Sequence, residues 1–269
     1  MKYTILSDFR EHLNVVLDNK NTADTYYFAV DKLFKELQFN DLSEIPCETI
    51  EQLLAQTRTK NRFSASKNGL KHLKEFDRSL NLPNNEFFRS TAGRKRNFSV
   101  KPRKVLEHDT ICRKVNAIRD DKLKTAFRLM MKSGLRVSEC AALTKKDIVI
   151  EGDTVKIDVL HGKGGSNDIV TCMEDKWLAG KLEELTQSMN DEDKPFYAAQ
   201  TMINKAGERG LECHDFRRVA ANTFRDERRS ESGSLKDANK ETQSFLRHTR
   251  FSVTKRYLQN RKLKFVRKS

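Results

Sequence analysis

Cysteine is sparse and unpaired. Cys47, Cys112, Cys140, Cys172 and Cys213 are the only five, and no two lie closer than 28 residues. That spacing suits neither a zinc ribbon nor a disulfide framework, so a reducing compartment is expected. Long apolar runs are missing too. No stretch of about 18 apolar residues occurs, and the opening Met-Lys-Tyr-Thr-Ile-Leu-Ser-Asp has no secretory apolar core. The expectation is a cytoplasmic chain, neither exported nor membrane-spanning. No internal repeat is present, and the one Gly-Lys-Gly-Gly stretch lacks the G-x-x-x-x-G-K-[ST] pattern of a nucleotide-binding loop.

Acid is absent from two places. Residues 93–104 carry Arg94, Lys95, Arg96, Lys101, Arg103 and Lys104 with no Asp or Glu. Residues 247–269 carry nine cations, among them Arg247, Arg250, Lys255 and Arg256, again with no acid. These segments together account for the formal charge of +14, and the rest of the chain is close to neutral. Localised positive charge favours a polyanion such as nucleic acid over a merely solubilising surface. For residues 93–104 an ordinary solvated linker fits equally well, because a linker running along phosphates has the same composition.

What is present reads as two domains, a sensible division of 269 residues. Apolar residues recur at helical spacing from Ser7 to Gln38, with a break at Asn21–Asp24 capped by Thr22 or Asp24. Further helices are expected from Pro46 and from Ser64 to Leu80. Residues 1–92 therefore read as an all-helical domain, 93–104 as a basic linker, and 105–269 as a second domain. In the latter, helices are expected at His108–Ile118, Asp121–Met131 and Arg136–Leu143. A three-stranded antiparallel sheet follows, at Ile148–Glu151, Thr154–Leu160 and Asp168–Cys172, with a glycine-rich tip carrying Lys163. Helices resume at Glu174–Met189, His214–Arg225 and Glu241–Arg247, and the polar stretch Glu227–Asp237 reads as a loop. The fold class is mainly α, with a small antiparallel β-sheet in the C-terminal domain.

The stretch Phe245–Leu258 concentrates the chemistry: His248, then Tyr257 nine residues on, among cations. The same residues fit a plain terminal helical hairpin, with Phe245, Leu246, Phe251, Val253 and Leu258 as its apolar face and Tyr257 at its edge. A phenol among cations also suits attack on a phosphodiester. Such attack requires the non-bridging oxygens to be neutralised, the nucleophile activated and the leaving alkoxide protonated. Arginine suits the first task because its planar fork stays charged and binds two oxygens. Arg136 follows a glycine turn, with Glu139 one helical turn later to brace it. Arg217 stands three residues from His214, on the same helical face.

Taken together, S-G-L-R-V-S-E, H-G-K-G-G on a β-turn, H-D-F-R-R, and F-L-R-H with R-Y-L nine residues later resemble the four active-site boxes of the tyrosine recombinase (phage integrase) family, in the family's chain order. T-A-D-T-Y-Y-F-A-V-D-K-L resembles the start of that family's helical core-binding domain, so the resemblance spans nearly the whole chain. It implies a two-domain DNA clamp made of a core-binding domain and a catalytic domain. It implies Tyr257 as the nucleophile forming a 3'-phosphotyrosyl link. Arg136 and Arg217 would clamp the phosphate, with a further hydrogen bond from His248. Lys163 would be the general acid, His214 would assist at the tyrosine, and Glu139 would support from behind.

The implied partner is a double-stranded DNA core site, bound by a homodimer and synapsed as a tetramer, with an accessory DNA-bending or regulatory protein left open. No cofactor and no metal are expected, since one phosphodiester is exchanged for another. The implied function is integration and excision of a mobile element. The alternatives are relaxation of DNA in the manner of a type IB topoisomerase, and a non-catalytic DNA-binding regulator.

Three features depart from the family pattern. Arg247 stands where the family usually has glycine. The spacing from Arg217 to His248 is long, with the surplus in the polar stretch. Twelve residues follow Tyr257, and among them Leu263, Phe265 and Val266 are the candidates for docking on a neighbouring protomer. No extra domain is expected before the first one.

Overall fold

The computed structural model describes residues 4–37, 41–57, 59–89, 106–159 and 168–266. The chain divides into two compact units, residues 1–103 and 104–269. The basic segment 93–104, with Arg94, Lys95, Arg96, Lys101, Arg103 and Lys104, lies outside the described residues, as does Lys163.

The first unit packs α1 (Thr4–Val16), α2 (Lys20–Lys35), α3 (Cys47–Gln56), α4 (Lys60–Phe76) and the short α5 (Asn85–Arg89). Leu6, Phe9 and Leu13 recur every three or four residues along α1 and are fully buried. They meet Val30, Leu33 and Phe34 of α2 and Leu70 and Leu73 of α4 in one core. The break between α1 and α2 falls earlier than expected. Asn19 caps α2 by accepting from the Thr22 amide at 3.1 Å. Asp24 is taken instead by Arg10 of α1, at 3.0 Å. Either Asx side chain could serve as a cap, and the interhelical ion pair available to Asp24 distinguishes them.

The second unit begins with α6 (His108–Asn116) and α7 (Asp121–Ser133), followed by the short α8 (Val137–Ala142). The sheet has β1 (Ile148–Glu151), β2 (Thr154–Val159) and β3 (Asp168–Thr171) in the order β1-β2-β3, antiparallel throughout. Ile157 pairs with Ile148 on one side and Val170 on the other, and Val155, Ile157 and Val159 all face the core. Then come α9 (Lys176–Thr186), α10 (Ala199–Gly207), α11 (Cys213–Ser232), α12 (Leu235–Phe245) and α13 (Phe251–Val266). Phe127 of α7 and Phe216 of α11 stack with ring centroids 4.4 Å apart, both fully buried. That contact fixes the two helices from which the candidate site is built.

The polar stretch 227–237 is not a loop: α11 continues to Ser232 and α12 starts at Leu235. Charged residues hold a helix when they pair along its surface. Here Arg228 bonds Glu231 at 2.6 Å, reaches Glu241 of α12 at 3.6 Å and lies over the Phe224 ring. Ser234 then caps α12. No helix of the described residues is long and apolar enough to cross a membrane.

Gly69 sets the approach of α4 to α2. A Cβ there would lie 2.5 Å from Val30 Cγ2 and 2.8 Å from the Tyr26 carbonyl oxygen. Gly69→Ala should therefore lower stability to denaturant by about 1–3 kcal/mol, the usual scale of overpacking. An unchanged unfolding midpoint would show that α2 and α4 can separate freely.

Candidate active site

The site forms where three segments meet: the turn from α7 into α8, the first turns of α11, and the α12–α13 junction. Gly134 ends α7 with φ +64°, and a Cβ there would stand 2.9 Å from Leu246 Cδ2. Glycine thus serves both the left-handed turn and the close approach of the α12–α13 junction. Arg136 follows as the N-cap residue of α8. Glu139 closes a capping box by accepting the Arg136 amide on Oε2 at 2.7 Å and Arg136 Nη1 on Oε1. The guanidinium is thereby oriented by the same carboxylate that starts the helix, and its side chain keeps about a quarter of its surface exposed.

Arg217 is only 1% exposed, which is exceptional for an arginine. Nη1 donates to the Gly134 carbonyl and Nη2 to the Leu246 carbonyl, so one side chain of α11 ties together the two other segments. Nη2 also lies 3.1 Å from His248 Nε2. A guanidinium can only donate, so that nitrogen accepts, and Nδ1 carries the proton that points to Thr254 Oγ1 at 2.9 Å. Burial, then the charge of Arg136, pulls the Arg217 pKa down to about 10, which leaves it charged at neutral pH. Burial and the neighbouring Arg217 push His248 down to about 4, so its imidazole is neutral there.

Tyr257, on α13, is half-buried and shares this space. Its hydroxyl lies 3.2 Å from His214 Nδ1. Its ring stacks on His248 at 5.6 Å between centroids, and the Arg217 guanidinium carbon is 5.9 Å from its centroid. Asn222 donates to the Tyr257 carbonyl at 3.2 Å, fixing the backbone that carries the phenol. Leu246 and Leu258 pack with Ala221 beneath it, so a helical hairpin and a polar cluster coexist in one element. Phe251 stays 38% exposed and is not part of that apolar contact.

Arg136, Glu139, His214, Arg217, His248 and Tyr257, dispersed over 122 residues of sequence, are thus gathered into one cluster. Arg247 joins it, turned inward onto Glu139 with Nη2 at 2.6 Å from Oε2. Arg250, Lys255 and Arg256 are exposed. Thr254 and Asn222 were missed by sequence reasoning. Thr254 stands three residues before Tyr257 on the same helical face, and that spacing is the signal that could have found it. Against Glu139, burial acts to raise the pKa, but the Arg136 amide and the charges of Arg247 and Arg136 outweigh it and hold the carboxyl below its ordinary range.

No protein-family model and no curated protein matches the sequence. Solved structures do resemble the fold. A lambda integrase dimer bound to a COC' core site matches with a TM-score of 0.66 and 14% identity, over 94% of this chain and 76% of that one. The Tn1549 transposon integrase in complex with a circular intermediate DNA matches with a TM-score of 0.61 and 11% identity, over 99% of both chains. The XerH site-specific recombinase bound to difH substrate matches with a TM-score of 0.59 and 14% identity, over 87% of this chain and 74% of that one. The chain shares the fold of these integrases and this recombinase, mainly helical with a small three-stranded antiparallel sheet.

The buried environment of His248 has a measurable consequence. In the unfolded chain the imidazole protonates near 6.5, whereas in the native state it stays neutral down to about 4. The unfolded state therefore binds the extra proton, and this group draws stability down as pH falls from 6.5 towards 4, with no effect above that window. Proton NMR should give a His248 midpoint near 4, assigned with His248→Gln; a midpoint near 6.5 would contradict the described contacts.

Proposed function

We propose that this chain is a site-specific DNA recombinase that cleaves and rejoins DNA through a 3'-phosphotyrosyl intermediate. The observation that carries the reading is the Tyr257 hydroxyl, 3.2 Å from an imidazole nitrogen and beside the buried Arg217 guanidinium. A phenol needs a base within hydrogen-bond reach and cations nearby if it is to act as a nucleophile at neutral pH.

In this mechanism the Tyr257 oxygen attacks phosphorus while its proton passes to His214 Nδ1, and the bond from phosphorus to the 5'-oxygen breaks. Lys163, in the role implied by the resemblance, returns a proton to that oxygen. A 5'-hydroxyl from a partner strand then gives its proton to Lys163 and attacks the phosphotyrosine. The bond from phosphorus to the Tyr257 oxygen breaks and that oxygen recovers its proton from His214, so a phosphodiester is restored and no external energy source is consumed.

Arg136 presents the accessible guanidinium, braced by Glu139. Arg217 holds the turn carbonyls and lends its charge from below. A phosphate bond from His248 Nε2 requires its contact with Arg217 Nη2 to open, because that nitrogen accepts there, whereas Arg217 Nε has no hydrogen-bond partner. Phosphate binding by His248 and rearrangement of this pair are therefore coupled.

On this reading, residues 1–92 are the core-binding domain, 93–104 the basic linker and 105–269 the catalytic domain. Two protomers bind each core site, and four form the synapse. Arg94, Lys95, Arg96, Lys101, Arg103, Lys104, Arg250, Lys255 and Arg256 are assigned to the DNA backbone; Arg247, also expected to contact DNA from the sequence, is turned inward onto Glu139 instead. Insertion and excision of a mobile element is the favoured role.

Nicked duplexes carrying the DNA that flanks the protein's own gene test the reading. Wild type should give a covalent adduct on denaturing electrophoresis, undiminished by chelator. Tyr257→Phe should bind the same DNA and give no adduct. Tight binding by wild type with no adduct on any flanking DNA would instead indicate a DNA-binding regulator.

A further inference from the structure

Arg247 occupies the turn immediately before His248 with φ +53°, the only left-handed residue other than glycine among the described residues. Such a backbone is strained for a side-chain-bearing residue, by about 1–2 kcal/mol. Its side chain is also 11% exposed, and Nη1 is buried without a hydrogen-bond partner. A glycine at this position would avoid strain, desolvation and the unpartnered nitrogen together. The compensating contact is with Glu139, whose Oε2 accepts from Arg247 Nη2 at 2.6 Å. Asp168, 4.0 Å from Nε, is more distant and more exposed.

Glu139 is therefore shared. One carboxylate holds the amide and guanidinium of Arg136 and also the guanidinium of Arg247. Without Arg247, Glu139 would cancel the charge of Arg136, and Arg217 alone would leave the cluster at +1. With Arg247, three guanidiniums stand against one carboxylate, and the cluster carries +2. A phosphodiester enters with one negative charge, and attack by an ionised phenol brings a second into the five-coordinate state.

We propose that Arg247 is a positioning residue that neutralises Glu139, so that Glu139 can orient Arg136 without consuming the charge that Arg136 presents to the phosphate. This deepens the recombinase reading and rests on it for the reaction, although the anion site itself stands on the described contacts. Arg247 does not touch the phosphate. It acts through Glu139.

Three variants and two measurements separate charge from structure. Arg247→Gly suits the left-handed backbone and removes the charge, Arg247→Met removes the charge and keeps the bulk, and Arg247→Lys keeps the charge without the fork. Orthovanadate binding should weaken roughly tenfold or more in the Gly and Met variants, the scale of one unit charge near an anion at an effective dielectric of about 20. The Lys variant should remain within about threefold of wild type. With flanking-DNA duplexes, the Gly and Met variants should slow adduct formation by a similar factor at saturating DNA and leave DNA affinity within about twofold, because many other cations share that binding.

A turn-forming role alone would leave Arg247→Gly at wild-type level on both measurements, and that result overturns the proposal. Failure of wild type to bind orthovanadate overturns it as well. Arg247-dependent orthovanadate binding by a protein that forms no adduct would uphold the Arg247 assignment and reject the recombinase reading.

Discussion

The guanidinium of Arg217 is the contact on which the site depends. It sits in an almost dry position, donating to the carbonyls of Gly134 and Leu246 and to His248. Those carbonyls belong to turns more than a hundred residues apart in sequence. A charge so thoroughly withdrawn from water is tolerated only when oxygen and nitrogen acceptors replace the solvent. The turn after α7 and the junction before α13 are therefore held in register by one side chain, and the residues that follow each turn, Arg136 and His248, inherit their positions from it. The α7–α11 contact through Phe127 and Phe216 keeps the base of that arrangement rigid.

From this constraint the electrostatics follow. Arg136 and Arg247 pair with one buried carboxylate, Glu139, while the Arg217 guanidinium, two imidazoles and one phenol gather beside them, and the imidazole next to the cations is kept neutral. Such a cluster is unfavourable in isolation, since like charges are gathered without enough acid to balance them. It becomes favourable when an anion enters, and clusters of that kind are characteristic of sites rather than cores. The phenol of Tyr257, half-buried against His248 and within reach of His214, is the proposed nucleophile.

Much of this was legible in the sequence. The spacing of Arg136 to Glu139 and of His214 to Arg217 is set by helical geometry, and the three strands alternate as a half-buried sheet should. The extension of α11 through residues 226–232 was not legible, because its stability comes from Arg228 pairing with Glu231 and Glu241, and a polar run reads the same whether helical or irregular. Nor was the inward turn of Arg217, since burial of an arginine depends on which carbonyls happen to surround it. The placement of the α2 cap at Asn19 depended on Arg10 claiming Asp24, a tertiary contact invisible to local pattern.

The proposed function stands on covalent attachment of Tyr257 to DNA. Tryptic digestion of the purified adduct, followed by nuclease trimming and mass spectrometry, addresses it directly, because Tyr257 falls in a short peptide bounded by Arg256 and Arg261. The proposed mechanism leaves the residual nucleotide on that peptide, linked through its 3'-phosphate to the tyrosine oxygen. A nucleotide on any other residue, or a link through a 5'-phosphate, would contradict it.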